Sequence, residues 1–128
     1  IDKQVQILID SGAAIGAMPP EYAQDYPIVP TDGLAKYRAA NGGLLDNQGD
    51  RIVRTGLTDV HGQQFDANIR YAVLDVKRPI ASVSRIVDLG GEVVFRREGS
   101  HIVTGGGRTI RMKRTGGVFT IDATIRPN

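Results

Sequence analysis

The sequence predicts an all-β fold with one short α-helix late in the chain. Glycine accounts for 16 of the 128 residues and is spread along the chain, which favours many tight turns between short strands. β-Branched residues dominate the apolar segments, and several of these segments alternate with polar residues over the length of a strand. The hydrophobic fraction of 41% is enough for a core, and the chain length suits one compact domain.

The first part of the chain is predicted to contain short strands separated by proline and glycine turns. An apolar strand spans residues 5–9, and a second short strand over residues 13–17 is ended by Pro19-Pro20. Residues 21–24 are predicted to form one helical turn, with Pro20 at its first position. Further strands are expected at 35–40, 44–46, 51–57 and 65–76, with turns at Asn41-Gly42-Gly43, at 47–50 and at His61-Gly62.

The late helix is predicted over residues 84–89. Ser84 suits an N-cap, and Gly90-Gly91 follows the last apolar residue of the segment. The residues after the helix are predicted to form a β-meander with glycine-rich turns at 105–107 and 116–117. Its strands are expected at 92–96, 101–104, 109–114 and 118–125.

Composition excludes several classes of protein. The chain has no cysteine, so neither disulfides nor thiolate chemistry are available to it. No apolar run approaches the roughly 20 residues that a membrane-spanning helix needs, and no membrane span is expected. The lack of cysteine and of a signal peptide in this sequence favours an intracellular location.

The charge of the chain is mildly basic, with a net charge of +2 and a pI of about 9.2. No aromatic residues interleave with the basic residues of the last third, so nucleic-acid binding is not expected and solvated strand faces are the simpler explanation. Most acidic residues are likewise predicted to be solvated. The late basic residues are Arg96, Arg97, Arg108, Arg111, Lys113, Arg114 and Arg126.

Asp10 is the residue that most needs an explanation. It ends the apolar run Ile7-Leu8-Ile9, although Asp is a poor strand residue and is rarely buried without a partner. Ser11, Gly12 and Ala13 follow it, and their small size lets another backbone approach closely. A simple turn at the strand end would account for this pattern, and so would a carboxylate that activates water.

The segment Leu8-Ile9-Asp10-Ser11-Gly12-Ala13 resembles the active-site motif of the retropepsin family, the aspartic proteases of retroviruses and retrotransposons. The family pattern is two apolar residues, Asp, Thr or Ser, Gly and Ala. The segment 39–44 resembles the glycine-rich tip of the family's flap hairpin, and the helix after Pro79-Ile80-Ala81-Ser82 is similar to its single late helix. The resemblance covers residues 3–95, so we expect a protease-like core over residues 1–95 and a meander extension over 96–128 in the same compact domain.

The resemblance implies a single-lobe, closed β-barrel or sandwich that works as a homodimer. Each subunit would contribute one Asp10, and the paired carboxylates would activate a water molecule to hydrolyse a peptide or polyprotein substrate. It also implies substrate-binding roles for Ser11, Gly12 and Ala13 beside the carboxylate, and for Asn41, Gly42 and Gly43 in the flap. No cofactor is expected, and no metal, because His61 and His101 lack other ligands at a suitable spacing.

Two departures from the family leave a second function open. The family usually has Gly at the position of Ser82, where a hydroxyl is able to crowd or to hydrogen-bond the Asp10 loop. The family's chain ends soon after the helix in a strand of the dimer sheet, whereas this chain continues as a meander that could replace the dimer sheet, block it or bind something else. The alternative is therefore a catalytically silent module, a structural or interaction subunit of a larger assembly. A β-domain that binds nucleic acid through its late arginines is a third possibility.

Overall fold

A mixed sheet of seven strands organises the protein. The computed structural model describes residues 2–30, 37–38, 44–45 and 48–128, with residues 37–38 and 44–45 described by their backbone only. In this part of the chain the elements are β1 (Lys3–Asp10), β2 (Ala17–Met18), β3 (Tyr37–Arg38), β4 (Leu44–Leu45), β5 (Asp50–Thr58), β6 (Gln64–Val73), β7 (Ile80–Ser82), α1 (Val83–Asp88), β8 (Glu92–Val94), β9 (His101–Val103), β10 (Thr109–Arg111), β11 (Lys113–Thr115) and β12 (Val118–Ile125). The predicted mostly-β fold with one short late helix is confirmed.

The large sheet has the order β1-β7-β2-β6-β5-β12-β11, and β1 also pairs with β12. These pairings link six strands in a ring, but they do not make the regular closed barrel that was expected. β7 meets β2 only at Ile80 and Ala17, and β12 meets β5 only at its last two residues. β2 forms few of the ring's hydrogen bonds, because it is only two residues long. Pro19, which follows it, has no N–H to continue the ladder.

Two large apolar clusters, with a small third one of Ala17, Ala72 and Leu74, form the core of the described residues. In β1 the inward residues Ile7 and Ile9 are buried, while Gln4 and Gln6 are exposed, as expected for a half-buried strand. Ile7 and Ile9 belong to one cluster, and Tyr71 belongs to the other. The first cluster consists of Ile7, Ile9, Leu57, Ile102, Ile110, Met112, Ile121 and Ala123, and the second of Met18, Ala23, Tyr26, Val53, Tyr71 and Ile125.

The C-terminal segment divides between two sheets, so the predicted single meander is only partly right. β8, β9 and β10 form a separate three-stranded antiparallel sheet. The strand predicted over 109–114 is interrupted at Met112, whose N–H donates to the carbonyl of Ser100 at 3.0 Å. After this break β11 and β12 join the large sheet. β12 runs antiparallel along β1, from Lys3 opposite Ile125 to Leu8 opposite Thr120.

Three local predictions are wrong, each for a physical reason. The second strand is not at 13–17 but at Ala17–Met18, because the residues before it form turns. No helical turn forms at 21–24, where Ala23 has a φ of 54°, in the left-handed region that right-handed helices exclude. The helix is capped by Ser82 and not by Ser84, since the Ser82 side chain accepts from the N–H of Arg85.

Candidate active site

Asp10 lies at the point where β1 ends beside a parallel neighbour. β7 pairs with β1 so that Leu8 is opposite Ile80 and Asp10 is opposite Ser82. The N–H of Leu8 also donates to the carbonyl of Pro79 at 2.9 Å, which extends this pairing by one bond. Because parallel strands end at the same edge of a sheet, the half-buried Asp10 carboxylate stands next to the start of α1.

A tight turn holds the Asp10 carboxylate in place. The backbone N–H of Gly12 donates to Asp10 Oδ1 at 2.8 Å, as in an Asx turn. Among the described residues no other hydrogen bond reaches this carboxylate, so Oδ2 is open to solvent or to a further group. A Cβ atom on Gly12 would lie 3.3 Å from Oδ1, so a larger residue there would crowd the carboxylate.

Ser82 fixes the loop that follows Asp10. Its side chain is almost fully buried and donates to the carbonyl of Ala13 at 2.7 Å. The same oxygen accepts from the N–H of Arg85 at 3.2 Å, in the first turn of α1. Of the two effects expected for a serine at this position, the structure has the hydrogen bond. Ser82 therefore ties the Asp10 loop to the start of the helix.

The predicted site residues fall into two groups. Asp10, Ser11, Gly12 and Ala13 form one loop, in which Ser11 and Gly12 are exposed and Ala13 is partly buried. Within residues 2–30 and 48–128 the hydroxyl of Ser11 has no hydrogen-bond partner.

The second predicted group, Asn41, Gly42 and Gly43, lies outside the described residues. The described backbone on either side of it forms β3 and β4, which pair antiparallel with Arg38 opposite Leu44. These two strands fall within the segments 35–40 and 44–46 that the sequence predicts to be extended. The structure therefore supplies the Asp10 loop for a site and the antiparallel pairing next to the predicted flap tip.

The chemistry available at this loop is that of one carboxylate. An ionised carboxylate at an open position can accept a proton from water, and a protonated one can donate to a carbonyl oxygen. Peptide hydrolysis by this route needs both roles at once, and one Asp10 fills only one of them. One chain thus provides half of such a site.

The sequence does not reveal the structural role of Arg51. This residue is buried in β5, and its guanidinium donates to three backbone carbonyls. The acceptors are Pro20, Tyr22 and Tyr26, so Arg51 fixes the loop in which a helical turn was predicted. The one available signal is its position, two residues before the inward-facing Val53 of an alternating strand.

Two further observations concern ligands and membranes. Among the described residues, no group of three or more His, Asp or Glu side chains is arranged to hold a metal ion. In the same part of the chain, no helix has the length and the apolar character needed to cross a bilayer.

Comparisons with known proteins give no relatives for this chain. No protein-family model matches it, and searches of curated proteins and of solved structures return no match.

Proposed function

We propose that the protein is an aspartic endopeptidase of the retropepsin type that is active as a homodimer. The observation that carries this proposal is the geometry of the Asp10 loop. An exposed turn after β1 presents a carboxylate with one free oxygen, and a partly buried hydrogen bond from Ser82 braces that turn. This arrangement supports a carboxylate whose position is fixed before any ligand arrives, as catalysis requires.

In the proposed mechanism the two Asp10 carboxylates of the dimer face each other across a two-fold axis. Two carboxylates that are a few ångströms apart cannot both ionise at low cost, so they share one proton and titrate as a pair. The ionised member takes a proton from water, and the protonated member donates to the oxygen of the scissile carbonyl. The proton is then passed to the leaving amine as the tetrahedral intermediate breaks down.

The substrate in this proposal is an extended peptide. Ser11, Gly12 and Ala13 would lie along it, because their small side chains leave room for a second backbone. Asn41, Gly42 and Gly43 would close over the peptide from the opposite side and exclude water.

Proteolysis of a peptide library between about pH 3 and 7, the range that spans carboxylate pKa values, tests the proposal. Asp10→Asn should abolish cleavage while leaving the far-UV circular dichroism spectrum unchanged. Asp75→Asn, which alters an exposed acid after β6, is the matched control and should cleave as the wild type does. If the wild-type dimer cleaves no peptide anywhere in this range, the proposal is wrong.

A mixing experiment tests whether two chains share one site. When equal amounts of wild type and Asp10→Asn exchange subunits freely, only about one quarter of the dimers hold two intact Asp10 residues. Activity should therefore fall to about half of that expected from simple dilution of the wild type. If activity falls only in proportion to the wild-type protein present, each chain works alone.

A second candidate, the catalytically silent module, is favoured by the pairing of β1. Both edges of this strand are occupied within one chain, by β7 on one side and by β12 on the other. A dimer cannot use either edge without displacing one of these strands. A protein that sediments as a monomer at high concentration and cleaves nothing would support this candidate.

A further inference from the structure

The fold brings together aromatic and basic residues that are far apart in the sequence. The rings of Phe95 and Phe119 meet edge to face, with their centroids 4.9 Å apart. The guanidinium of Arg114 lies over the Phe119 ring, at 5.4 Å from its centroid. Arg96 and Arg97 follow Phe95 in the exposed turn between β8 and β9. We name these five residues the β11 edge surface.

The β11 edge surface is exposed and carries unpaired positive charge. Phe95 is 43% exposed, although it is a large apolar residue. In the described part of the chain, Arg96, Arg97 and Arg114 form no ion pair with a carboxylate, whereas Lys113 is paired with Asp122. Glu98 is the acid closest in sequence to Arg96 and Arg97. Three free guanidinium groups beside two aromatic rings make a surface that suits an anionic partner with apolar side chains.

The surface also borders a short strand edge that is open at Arg114 and ends at Met112, whose N–H already donates to the carbonyl of Ser100. β11 is the last strand in the order of the large sheet, and its described partner is β12. The turn between them has two residues, Gly116 and Gly117, with φ angles of 58° and 83°. In such a hairpin the flanking pair, Thr115 and Val118, exchanges hydrogen bonds, and the next pair does not. The N–H and C=O of Arg114 therefore point away from β12, toward the open edge.

We propose that an acidic segment in an extended conformation binds here as an added strand beside β11. Its backbone would pair with the outward N–H and C=O of Arg114, and its carboxylates would meet the three arginines. Arg114 is opposite Phe119 in the hairpin, so their side chains share a face, and the carboxylates of the added strand would lie on that face. A second copy of β11 is a poor partner because it would bring like charges together across the new pair. A nucleic acid is a poorer fit, since Arg114 already occupies the Phe119 face on which a base would stack.

Fluorescence anisotropy with a labelled peptide of about eight residues, alternating glutamate and valine, tests this proposal. We expect the peptide to bind, and binding to weaken as salt rises from about 50 to 200 mM. A lysine–valine peptide should not bind. The glutamate–valine peptide with every second backbone nitrogen methylated should not bind either, because it keeps its charge but loses its main-chain donors.

Protein variants then locate the contact. Arg114→Gln should weaken binding of the glutamate–valine peptide roughly tenfold, the effect of losing one charge-assisted hydrogen bond. Arg78→Gln is the matched control, because Arg78 is exposed and precedes β7, which lies five places from β11 in the sheet order. Asp10→Asn should bind the peptide normally, so a failed protease proposal would leave this result intact.

Four outcomes of the binding measurements would overturn the proposal. They are no binding of the glutamate–valine peptide, equal binding of its methylated form, no loss in Arg114→Gln, and tighter binding of an oligothymidylate of the same charge. Sedimentation of the free protein tests whether a second copy of the chain binds at β11 instead of an acidic segment. A dimer that Arg114→Gln disrupts would show that another copy of the chain occupies this edge, and would also overturn the proposal.

Discussion

At the residue scale, the Ser82 hydroxyl forms two hydrogen bonds that hold separate parts of the fold. One buried hydroxyl donates to the carbonyl of Ala13 and accepts from the N–H of Arg85, so it serves the Asp10 loop and the helix at once. The sequence identifies Ser82 as a residue that can hydrogen-bond this loop. It predicts Ser84 as the helix cap, and this is wrong: the cap is Ser82, whose hydroxyl is also fixed by Ala13, a residue 69 positions away.

Ser82→Ala should lower the free energy of unfolding by about 1–3 kcal/mol, the combined effect of a lost N-cap and of an unsatisfied carbonyl at Ala13. Urea denaturation followed by circular dichroism measures the change. Ser84→Ala is the matched control, since Ser84 is exposed within α1 and should change stability by no more than about 0.5 kcal/mol. Equal effects of the two substitutions would contradict the bracing role of Ser82.

Tyr71 is a second residue whose environment can be measured, through the dependence of stability on pH. It is almost fully buried in the second core cluster, and its hydroxyl is 3.4 Å from Thr55 Oγ1. Burial raises the pKa of Tyr71 to about 12, and the hydrogen bond with Thr55 opposes this only in part. Because the neutral form is favoured in the folded state, the unfolded chain releases this proton first as the pH rises.

Below the ordinary tyrosine pKa of 10.0, the contribution of Tyr71 to the free energy of unfolding should therefore not change with pH. Between about pH 10 and 12 this contribution should fall by roughly 2–3 kcal/mol. Tyr71→Phe should lack this decline, so its stability should approach and then pass that of the wild type in alkali. Tyr22→Phe, at a half-buried site, should keep the wild-type decline. Parallel pH profiles for wild type and Tyr71→Phe would show that the shift is absent.

At the scale of elements, the β5–β6 hairpin is the part that the sequence predicts best. Its alternating residues and the His61-Gly62 turn are local signals, and the structure pairs Thr58 with Gln64 around that turn. The Asp10 loop is predictable for the same reason, since its residues are consecutive. The contacts of Arg51 and the β11 edge surface are not predictable from the sequence, because each brings together residues that meet only in the folded chain.

Asp59 connects this hairpin to the small sheet. The sequence suggests a solvated acid, but the carboxylate is buried and accepts from the N–H groups of His61 and Gln63, both at 2.9 Å. Its other oxygen accepts from Arg108 at 3.2 Å. Burial alone would raise the pKa of Asp59, but the hydrogen bonds from Gln63 and His61, together with the charge of Arg108, lower it below its usual value.

A lowered pKa in the folded state means that Asp59 stabilises the fold above its ordinary pKa of 3.8 and that this contribution is lost as the pH falls through the folded value. Asp59→Asn keeps the acceptor for the turn but cannot titrate. Its free energy of unfolding should therefore decline less steeply than that of the wild type below about pH 4. Asp75→Asn, at an exposed position, should leave the acid decline unchanged, and an unchanged slope in Asp59→Asn would refute the assignment.

At the scale of the whole molecule, the last strand completes the core that the first strand begins. The sequence predicts that β12 exists but not where it pairs, because its partner β1 is more than a hundred residues away and antiparallel pairing leaves no local signal. Ile7 of β1 is directly opposite Ile121 of β12, and both are buried in the first cluster. Residues 96–128 therefore contribute to the same hydrophobic core as residues 1–95.

This packing predicts that a cavity in β12 destabilises the whole chain. Ile121→Ala should lower the free energy of unfolding by about 2–5 kcal/mol, the usual range for such a deletion in a core. Ile52→Ala removes the same atoms from a residue that is 46% exposed, so it should cost much less. Circular dichroism and tyrosine fluorescence should give coincident urea transitions for both variants, as for one cooperative unit. Separate transitions, or a loss below about 1 kcal/mol in Ile121→Ala, would mean that β12 folds apart from the core, since even partial loss of buried methylenes exceeds that value.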